Sequence, residues 1–184
     1  MKTEETMEKK SVALLALGSN MGDSMRNIRD ALAMLASLEK VNLIATSSIY
    51  RTLPVGGPIG QPDFLNGAAL VRTSLTPRDL LARTSRIEQL LRRERHEFWG
   101  PRTIDLDLIL YDDVILNSPE LILPHPRLYW RSFVLDPAVE IAPELVVPTT
   151  GLSLRETRDL ARFIFASAEL FLRLLEPLTD SKSR

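Results

Sequence analysis

Between Thr103 and Leu110 the side chains alternate with a two-residue period, and this constrains the segment to a β-strand. The sequence there is T-I-D-L-D-L-I-L. The two expected faces carry Ile104, Leu106, Leu108 and Leu110 on one side, and Thr103, Asp105, Asp107 and Ile109 on the other. Both carboxylates, those of Asp105 and Asp107, are therefore predicted to project from the same face of one strand.

Asp105 and Asp107 are close enough to repel each other, so a fold that keeps both must offset their charge. A hard divalent cation such as Mg²⁺, which prefers oxygen ligands, would do so. Arg102 adds a permanent cation three residues before Asp105. Carboxylates for metal and arginine for phosphate are components of a phosphoryl-transfer site. The alternative is a strand whose acids simply face solvent, because a lone D-x-D pattern is short and common.

The composition predicts one globular domain with a sizeable core, since 45% of the 184 residues are hydrophobic and 26% are charged. The formal net charge of -1 gives no overall basic field, so nucleic acid is not an expected partner. Eight of the 18 arginines nevertheless fall between Arg72 and Arg102. Arginine suits phosphate, so this cluster predicts a small polyanionic ligand. For Arg78, Arg83 and Arg86, a solvated helix face is the alternative.

The chain contains no cysteine, which excludes disulfides, a thiol nucleophile and cysteine-ligated zinc. No apolar run approaches the roughly 20 residues needed to span a bilayer, so no membrane partner is expected. Residues 1–10 are largely charged and are expected to form a disordered tail, not a signal peptide. These features favour a cytoplasmic protein.

The strand pattern predicts the element order β-α-β-β-α-β-β-β, with hairpins in place of regular β-α-β crossovers. That order indicates an α+β fold, with an antiparallel-dominated, ferredoxin-like sheet and helices packed on it. Strands are expected at 11–17, 41–50 and 64–73, in the D-x-D segment, and, after a hairpin turn at 112–113, at 114–116 and 121–123.

Four helices are expected, each marked by a start or stop signal. The first follows Gly22-Asp23, and the second is capped by Thr76 with Pro77 at its first position. A short helix at 132–139 is expected to be broken by Pro137. A capping box of Ser153 and Glu156 opens a last helix that runs to about Glu176. The loops at 51–63 and 92–100 are long enough to be functional lids.

Seven short segments occur in a recognisable order along the chain. They are L-G-S-N (17–20), Y-R-T-x-P-x-G (50–56), Q-P-D-F-L-N (61–66), R-I-E (86–88), W-G-P-R-T-I-D-L-D (99–107), L-P-H-P-R-L (123–128) and R-S-F-V-L-x-P (131–137). Together they closely resemble the 6-hydroxymethyl-7,8-dihydropterin pyrophosphokinase family of folate biosynthesis, over roughly Val12 to Glu144. Each segment alone is weak, whereas seven in order are highly specific.

The resemblance implies transfer of the terminal diphosphate of ATP to the hydroxymethyl group of a reduced pterin, with AMP as the other product and two Mg²⁺ ions as cofactors. It implies that the metal ions are held by Asp105 and Asp107. The implied catalytic residues are Arg93, Arg102, Asp105 and Asp107. The implied ATP-binding residues are Glu88, Arg95, Arg102, His125 and Arg131. The implied pterin-binding residues are Thr52, Leu53, Val55, Phe64, Asn66, Trp99 and Phe133.

In that assignment the pterin ring stacks between Phe64 and Phe133, and Trp99 closes the pocket. A flat heterocycle suits two aromatic faces and an amide, and a reaction with little covalent work for the protein suits metal clamping and positioning. From the residues alone, Phe64 and Phe133 fit an ordinary hydrophobic core as well.

The chain departs from the family pattern in several places, two of them in the loop at 92–100. Arg92 stands where the loop usually has glycine and Phe98 where it usually has a basic residue, which leaves the loop's flexibility and one nucleotide contact open. The segment after Gly151 is longer than the family core needs. We expect a catalytic domain at 11–150 and a helical extension at 151–184 packed on the same domain. A monomer is expected, with a homodimer through the last helix as the alternative.

Two other functions fit parts of the sequence. A different Mg²⁺-dependent phosphoryl-transfer enzyme, such as a phosphohydrolase, would use Asp105, Asp107 and Arg102 without an aromatic pterin site. A non-catalytic nucleotide- or RNA-binding domain of ferredoxin-like fold is the second, although the sheet segments lack an aromatic and basic recognition motif. Formation of AMP only when the pterin is present separates the pyrophosphokinase from the first alternative. Nucleotide binding that ignores Mg²⁺ would favour the second.

Overall fold

The centre of the fold is a five-stranded antiparallel sheet. The computed structural model describes residues 10–58, 60–91 and 102–175, and the side chains of the last helix as far as Ala168. The sheet contains β1 (Ser11–Ser19), β2 (Val41–Thr46), β3 (Tyr50–Thr52), β4 (Phe64–Thr73) and β5 (Asp105–Tyr111). Its order is β2-β4-β1-β5, with β3 also paired to β4, and every pair is antiparallel. The predicted α+β, ferredoxin-like fold is confirmed.

Helices cover both faces of this sheet. They are α1 (Ser24–Ala36), α2 (Pro77–Leu90), α3 (Ser132–Ile141) and α4 (Leu154–Leu175), and a 3₁₀ turn spans Leu128–Trp130. One core lies between the sheet and α1 and α2, around Leu15, Ile28 and Leu80. A second core lies on the opposite face, under α3 and the start of α4, around Leu14 and Leu135. Among the described helices, none is long and apolar enough to cross a membrane.

The alternation predicted for β5 is correct as far as Leu108 and wrong at Leu110. Leu108 pairs with Leu15 and Leu110 pairs with Leu14, so Ile109 is an extra residue opposite β1. This β-bulge shifts the alternation, because β5 advances by two residues, from Leu108 to Leu110, where β1 advances by only one. Leu110 therefore lies with Ile109 in the core beneath α3, while Leu108 lies in the core beneath α1 and α2.

The single strand predicted for 41–50 is two strands, separated by residues 47–49. The Ser47 hydroxyl accepts a hydrogen bond from the Ala68 N–H at 2.9 Å, where a backbone carbonyl would otherwise serve. Next to it, Ser48 donates from both its backbone N–H and its hydroxyl to one carboxylate oxygen of Glu140 on α3, at 2.9 and 2.8 Å. Side-chain partners therefore replace the ladder locally, which ends β2 before β3 begins.

The prediction of a hairpin at Asp112-Asp113 is also wrong, because the strand that follows the turn does not pair with β5. Asp112 is tied to β1, because its carboxylate accepts from the Val12 N–H at 2.7 Å and its own N–H donates to the Val12 carbonyl at 2.8 Å. The chain then leaves the edge of β5. The next strand, β6 (Leu116–Asn117), pairs with β7 (Ile122–Leu123) in a separate two-stranded sheet.

Pro137 does not break α3, contrary to the prediction, since the helix continues to Ile141. A proline inside a helix removes one backbone hydrogen bond, and burial of the surrounding side chains against the sheet offsets that cost. Val134, Leu135, Ala138 and Val139 are all buried in the core.

Two predicted helix starts are confirmed. The Thr76 hydroxyl accepts from the Asp79 N–H at the start of α2, and Pro77 occupies the first turn. Ser153 and Glu156 form the capping box of α4, in which the Ser153 N–H donates to the Glu156 carboxylate at 2.8 Å and the Glu156 N–H donates to the Ser153 hydroxyl at 3.2 Å.

Candidate active site

A pocket of about 320 Å³ opens on the α3 side of the sheet. It lies where β1 ends and where β4 and β5 begin, so that three neighbouring strands contribute to its floor. Ten of the site residues predicted from the sequence line it: Thr52, Leu53, Val55, Phe64, Asn66, Arg102, Asp105, Asp107, Arg131 and Phe133.

The two carboxylates lie side by side in this pocket, opposite the end of β1. Asp105 pairs with Gly18 and Asp107 with Ala16, and both side chains face the pocket. Leu106, between them, is buried in the core on the other face. This confirms that the strand period places both acids on one face while an apolar side chain anchors the strand beneath them.

Each carboxylate has its own arginine partner. The Arg102 guanidinium forms a short ion pair with Asp105, and the Arg131 guanidinium lies 3.4 Å from the Asp107 carboxylate. Arg131 immediately precedes α3, so two separate segments bring cations to one strand. Both arginines line the pocket, where their remaining donors are available to an anionic ligand.

The acidic pair is electrostatically strained. Burial raises the pKa of the Asp107 carboxyl above its ordinary value, and repulsion from Asp105 raises it further. His125, Arg131 and Arg102 act in the opposite direction without cancelling the shift. Ionised Asp107 is therefore held with less hydration than in water and beside a second carboxylate, and a bound cation would stabilise the charged pair.

The donor set of this pocket suits Mg²⁺ better than a closed protein site for another metal. Within residues 10–58, 60–91 and 102–175, no group of three or more His, Asp or Glu side chains could hold a metal ion. Mg²⁺ is commonly bound by one or two carboxylates together with water and substrate phosphates. Asp105 and Asp107, beside arginines that can bind phosphate, fit that pattern.

His125 lies beside this acidic pair without lining the pocket. Its Nδ1 accepts a hydrogen bond from the backbone N–H of Arg127 at 3.2 Å, and the backbone N–H of His125 donates to the Ile109 carbonyl at 2.9 Å. Burial lowers the pKa of the imidazole, although Asp107 opposes this. The structure therefore favours a neutral imidazole near Asp107.

Aromatic and apolar side chains form the other end of the pocket. Phe64 begins β4 and pairs with Thr52 of β3, and Phe133 lies in the first turn of α3. The Arg131 guanidinium lies 5.4 Å from the centroid of the Phe133 ring, which joins the cationic end of the pocket to the aromatic end. Leu53 and Val55 are largely exposed at the rim. Phe64 and Phe133 therefore border the pocket and are not simply core residues.

Asn66 is a buried amide held in a fixed orientation. Its side-chain N–H donates to the Thr52 hydroxyl at 2.8 Å. Its amide oxygen approaches Gly18 so closely that a Cβ atom at position 18 would lie 3.0 Å from it. Gly18 therefore permits the close contact between β1 and β4 that places this amide at the pocket.

Glu88 lies behind β5 and does not line the pocket. It is buried on α2, and its carboxylate accepts the Leu106 N–H at 2.7 Å. Since Leu106 stands between Asp105 and Asp107, this bond fixes the backbone that carries both acids. The sequence reasoning, which assigned Glu88 to the nucleotide, did not anticipate this contact.

The segment L-G-S-N, at the end of β1, holds the start of β5 through hydrogen bonds. The Ser19 hydroxyl donates to the Thr103 carbonyl at 2.6 Å, and Asn20 forms two hydrogen bonds with the backbone of Arg102. The Asn20 amide also donates to the Pro62 carbonyl at 3.2 Å. Three segments that are distant in sequence therefore meet at Asn20.

Among the lining residues that the sequence reasoning did not assign to the site, Arg127 and Trp130 carry the large cationic and aromatic side chains. Arg127 immediately precedes the 3₁₀ turn and Trp130 is its last residue, and residues three apart in such a turn lie on the same side. Trp130 is 62% exposed, and it also borders a second groove beside α4. The exposure of so large an aromatic residue marks Trp130 as a candidate ligand contact, and no motif in the sequence indicates this. Three other predicted residues, Arg93, Arg95 and Trp99, lie outside the described part of the chain.

The chain is similar in sequence to a family described as 7,8-dihydro-6-hydroxymethylpterin-pyrophosphokinase (HPPK), which matches residues 14–143. A 2-amino-4-hydroxy-6-hydroxymethyldihydropteridine pyrophosphokinase of Synechocystis sp. is 45% identical over 139 residues, which cover 76% of this chain and 70% of the relative. A protein of the same name from Bacillus subtilis is 45% identical over 141 residues, covering 77% and 84% of the two chains.

Solved structures show the same fold. The wild-type HPPK-DHPS of Plasmodium falciparum, in a complex with pteroate, superimposes with a TM-score of 0.66 at 15% sequence identity. The match covers 89% of this chain and 44% of that one, so this chain spans less than half the length of the solved protein.

Proposed function

This chain belongs to the 7,8-dihydro-6-hydroxymethylpterin-pyrophosphokinase family, and we propose that the pocket between β1, β5 and α3 is where it carries out the family's reaction. The protein is an ATP-dependent diphosphotransferase of folate biosynthesis. It transfers diphosphate from ATP to the hydroxymethyl group of 6-hydroxymethyl-7,8-dihydropterin. The observation that carries the assignment of the pocket is the Asp105 and Asp107 pair, which is paired with two arginines and shares one pocket with aromatic side chains.

The charged end of the pocket is proposed to bind the phosphates of ATP. Asp105 and Asp107 would hold two Mg²⁺ ions. When bound, these ions neutralise phosphate charge and fix the positions of the phosphate oxygens. Arg102 and Arg131 would contact the same phosphates, and His125 and Glu88 would support the ATP site. Arg93 and Arg95 complete the proposed set, with Arg93 and Arg102 acting catalytically beside the two acids.

The aromatic end of the pocket is proposed to bind the pterin. Phe64 and Phe133 would contact the two faces of the ring, as offset or edge contacts between flat groups allow. Asn66 and Thr52 would hydrogen-bond its edge, since the 2.8 Å bond between them presents a fixed pair of polar groups. Leu53, Val55 and Trp99 would complete the enclosure and exclude water, which competes with the pterin hydroxyl.

In this arrangement the hydroxymethyl oxygen of the pterin forms a bond to the β-phosphorus of ATP. The bond between that phosphorus and the oxygen bridging to the α-phosphate breaks, AMP leaves, and the hydroxyl proton is lost. Little covalent work falls to the protein, so its contribution is position and electrostatics. The Arg131 guanidinium lies 3.4 Å from the Asp107 carboxylate and 5.4 Å from the centroid of the Phe133 ring, which supports the two substrates lying in one pocket.

We further propose a catalytic domain at 11–150 with the segment 151–184 as an addition to it. Dependence on ATP supports the cytoplasm as its compartment.

The direct experiment incubates the protein with ATP, Mg²⁺ and the hydroxymethyl pterin, and separates the nucleotides by chromatography. AMP and pterin diphosphate should appear in equal amounts and only when all components are present. ADP, or AMP that forms without pterin, would overturn the proposal in favour of a phosphohydrolase or another phosphoryl-transfer enzyme.

A further inference from the structure

One carboxylate of α3 ties that helix to the chain at the start of β3. Glu140 accepts three hydrogen bonds, from the backbone N–H of Ser48 at 2.9 Å, from the Ser48 hydroxyl at 2.8 Å and from the Tyr50 hydroxyl at 2.8 Å. Its two oxygens divide these donors, because Ser48 bonds to Oε1 and Tyr50 to Oε2. The bonds lower the pKa of the Glu140 carboxyl, with the Ser48 backbone N–H as the largest cause. We name these three residues the Glu140 clamp.

The segment 47–49, which leads into the clamp, is also seated on β4. The Ser47 hydroxyl accepts a hydrogen bond from the Ala68 N–H at 2.9 Å. A Cβ atom at Gly67 would lie 3.0 Å from the Ile49 side chain and 3.4 Å from the Ser47 hydroxyl. The absence of a side chain at Gly67 therefore lets this segment pack closely against β4. As a result, β3 starts from a position that is fixed both on β4 and on α3.

From the clamp, β3 continues to the pocket on the same face. Tyr50 pairs with Asn66 of β4, and Thr52 pairs with Phe64. Residues two apart on a strand project from the same face, so Tyr50 and Thr52 are both directed towards α3. The Thr52 hydroxyl accepts from the Asn66 amide at 2.8 Å, and both residues line the pocket. We name Thr52 and Asn66 the polar pair, and it begins only about 7 Å along β3 from Tyr50.

On α3, the clamp and the pocket also share one face. Phe133 and Glu140 are seven residues apart within this helix, which is nearly two full turns, so they lie on the same face about 10 Å apart. Phe133 lines the pocket, and Glu140 contacts the chain at β3. The clamp therefore closes one end of the contact between α3 and β3, and the pocket lies at the other end.

We propose that Glu140 and Tyr50 are positioning residues for the pterin site, because the clamp sets the distance between the aromatic wall on α3 and the polar pair on the sheet. This inference rests on the proposed function, in which Phe133 contacts a face of the pterin ring and the polar pair contacts its edge. Glu140 and Tyr50 lie outside the pocket lining, so they act through the backbone of α3 and β3. A flat ligand held on a face and on an edge requires both contacts at one fixed spacing.

The exposure of the clamp argues against a role in stability alone. Glu140 is exposed and Tyr50 is only partly buried, so water can replace a lost hydrogen-bond partner and the cost to folding is modest. The core beneath α3, around Leu135 and Ala138, holds the helix on the sheet independently of the clamp. Loss of the clamp should therefore leave the fold intact and free β3, a strand of three residues, to move relative to α3.

The test compares the affinities of clamp variants for the two substrates. Equilibrium titrations with 6-hydroxymethyl-7,8-dihydropterin, and separately with a non-hydrolysable ATP analogue and Mg²⁺, give the two Kd values. Tyr50→Phe removes only the hydroxyl, Glu140→Ala removes the acceptor, and Glu140→Gln retains an acceptor oxygen. Glu144→Ala is the matched control, because Glu144 is an exposed glutamate just after α3 that pairs with Arg155 of α4. Circular dichroism melts establish that every variant folds.

Tyr50→Phe and Glu140→Ala should each raise the Kd for pterin by about 5- to 20-fold, because the polar pair must then be ordered when the ligand binds. The double variant should lose little more than Glu140→Ala alone, since both changes break the same tie. The Kd for the ATP analogue should stay within about twofold, because β5 pairs with β1 whereas β3 pairs with β4. Glu140→Gln should recover most of the pterin affinity, and Glu144→Ala should match the wild type.

Unchanged pterin affinity in Tyr50→Phe and Glu140→Ala would overturn the positioning role, and so would equal losses for pterin and nucleotide, which indicate a general loosening of the fold. Phe133→Ala, titrated in parallel, tests the proposed pterin site itself. If Phe133→Ala loses pterin affinity while the clamp variants keep it, the pocket assignment stands and the positioning role is wrong. If Phe133→Ala binds pterin as the wild type does, the pterin lies elsewhere and both assignments are wrong.

Discussion

Asn20 and Arg102, 82 residues apart in sequence, are joined by two hydrogen bonds just before β5 begins. The Arg102 N–H donates to the Asn20 amide oxygen at 2.7 Å, and the Asn20 N–H donates to the Arg102 carbonyl at 3.0 Å. Arg102 is the residue whose guanidinium pairs with Asp105. The end of β1 therefore fixes the backbone position of Arg102, the cation that we propose binds phosphate, beside the acidic pair.

Loss of the Asn20 side chain should impair catalysis more than substrate binding. In Asn20→Ala the Arg102 N–H loses its acceptor, and a shift of about 1 Å in a positioned group can lower the rate by as much as 100-fold. We expect kcat to fall by about 10- to 100-fold, with the KM for pterin nearly unchanged. Steady-state kinetics with both substrates provide the measurement.

The control for that variant is Asn27→Ala. The Asn27 amide donates to the Met21 carbonyl at 2.9 Å and to the Ser19 hydroxyl at 3.4 Å, so it belongs to the same turn but has no bond to Arg102. Equal losses of kcat in the two variants would show that the turn as a whole, and not the link to Arg102, determines the rate.

Glu88 should act as a positioning residue through the backbone of Leu106. In Glu88→Leu the Leu106 N–H loses its partner, and an unsatisfied buried donor costs about 1–3 kcal/mol. We expect the Mg²⁺ concentration at half-maximal rate to rise and kcat to fall, because the spacing of Asp105 and Asp107 is no longer fixed. Glu88→Gln retains an acceptor oxygen and should restore most of the Mg²⁺ response.

The two Glu88 variants also separate this role from a direct contact with nucleotide. If Glu88 serves only by binding ATP, both substitutions should raise the KM for ATP while the Mg²⁺ dependence stays as in the wild type. That result would contradict a positioning role.

Removal of one charge from the acidic pair should stabilise the ligand-free protein. Folding raises the pKa of Asp107 above its ordinary value of 3.8, chiefly through burial and then through Asp105. Ionisation of this carboxyl therefore costs folding free energy once the pH exceeds 3.8. Asp107→Asn avoids that cost, and we expect its Tm at pH 7 to be higher by about 2–4 °C for each kcal/mol relieved.

The sign of the pH dependence makes this prediction specific. The excess stability of Asp107→Asn should be full above the raised pKa of the folded state and should shrink as the pH falls towards 3.8. Addition of Mg²⁺ should stabilise the wild type more than the variant. A Tm that is lower than the wild-type value at neutral pH without metal would contradict the electrostatic account of the pair.

Trp130 should contribute to pterin binding although no sequence motif contains it. It is 62% exposed and shares the pocket with Phe133. An aromatic contact is worth about 0.5–1.5 kcal/mol beyond the area it buries, so Trp130→Ala should raise the pterin Kd by roughly 2- to 10-fold. Calorimetric titration measures it, with Trp130→Phe as the control that keeps an aromatic ring. Equal affinity in wild type and Trp130→Ala would remove Trp130 from the site.

The sequence predicts those features of the fold and site that follow from local period and chemistry. Asp105 and Asp107 share a face because strand alternation requires it, and Thr76 caps α2 because its hydroxyl reaches a free N–H three residues on. The family motifs then identify most of the residues that line the pocket, including Phe64 and Phe133, which are far apart in sequence.

The features that the sequence could not predict depend on contacts between distant segments. The bulge at Ile109 moves Leu110 to the opposite core, and neither residue differs in type from its neighbours. The break between β2 and β3 needs Glu140 of α3 beside Ser48. Trp130 lies outside every family segment and Arg127 lies in L-P-H-P-R-L, but only the 3₁₀ turn brings both side chains to the pocket.

The most direct test of the central claim is the rate of AMP formation in a single turnover by Asp105→Asn, Asp107→Asn and the double variant, over a range of Mg²⁺ concentrations. Asp63→Asn, which alters an exposed carboxylate 4.0 Å from Arg51, is the control. If the pair acts as one unit, each single variant should lose about 10³-fold or more, the double variant scarcely more, and pterin affinity should persist. Near-normal AMP formation by either single variant would contradict the assignment of Asp105 and Asp107 as the metal-binding pair.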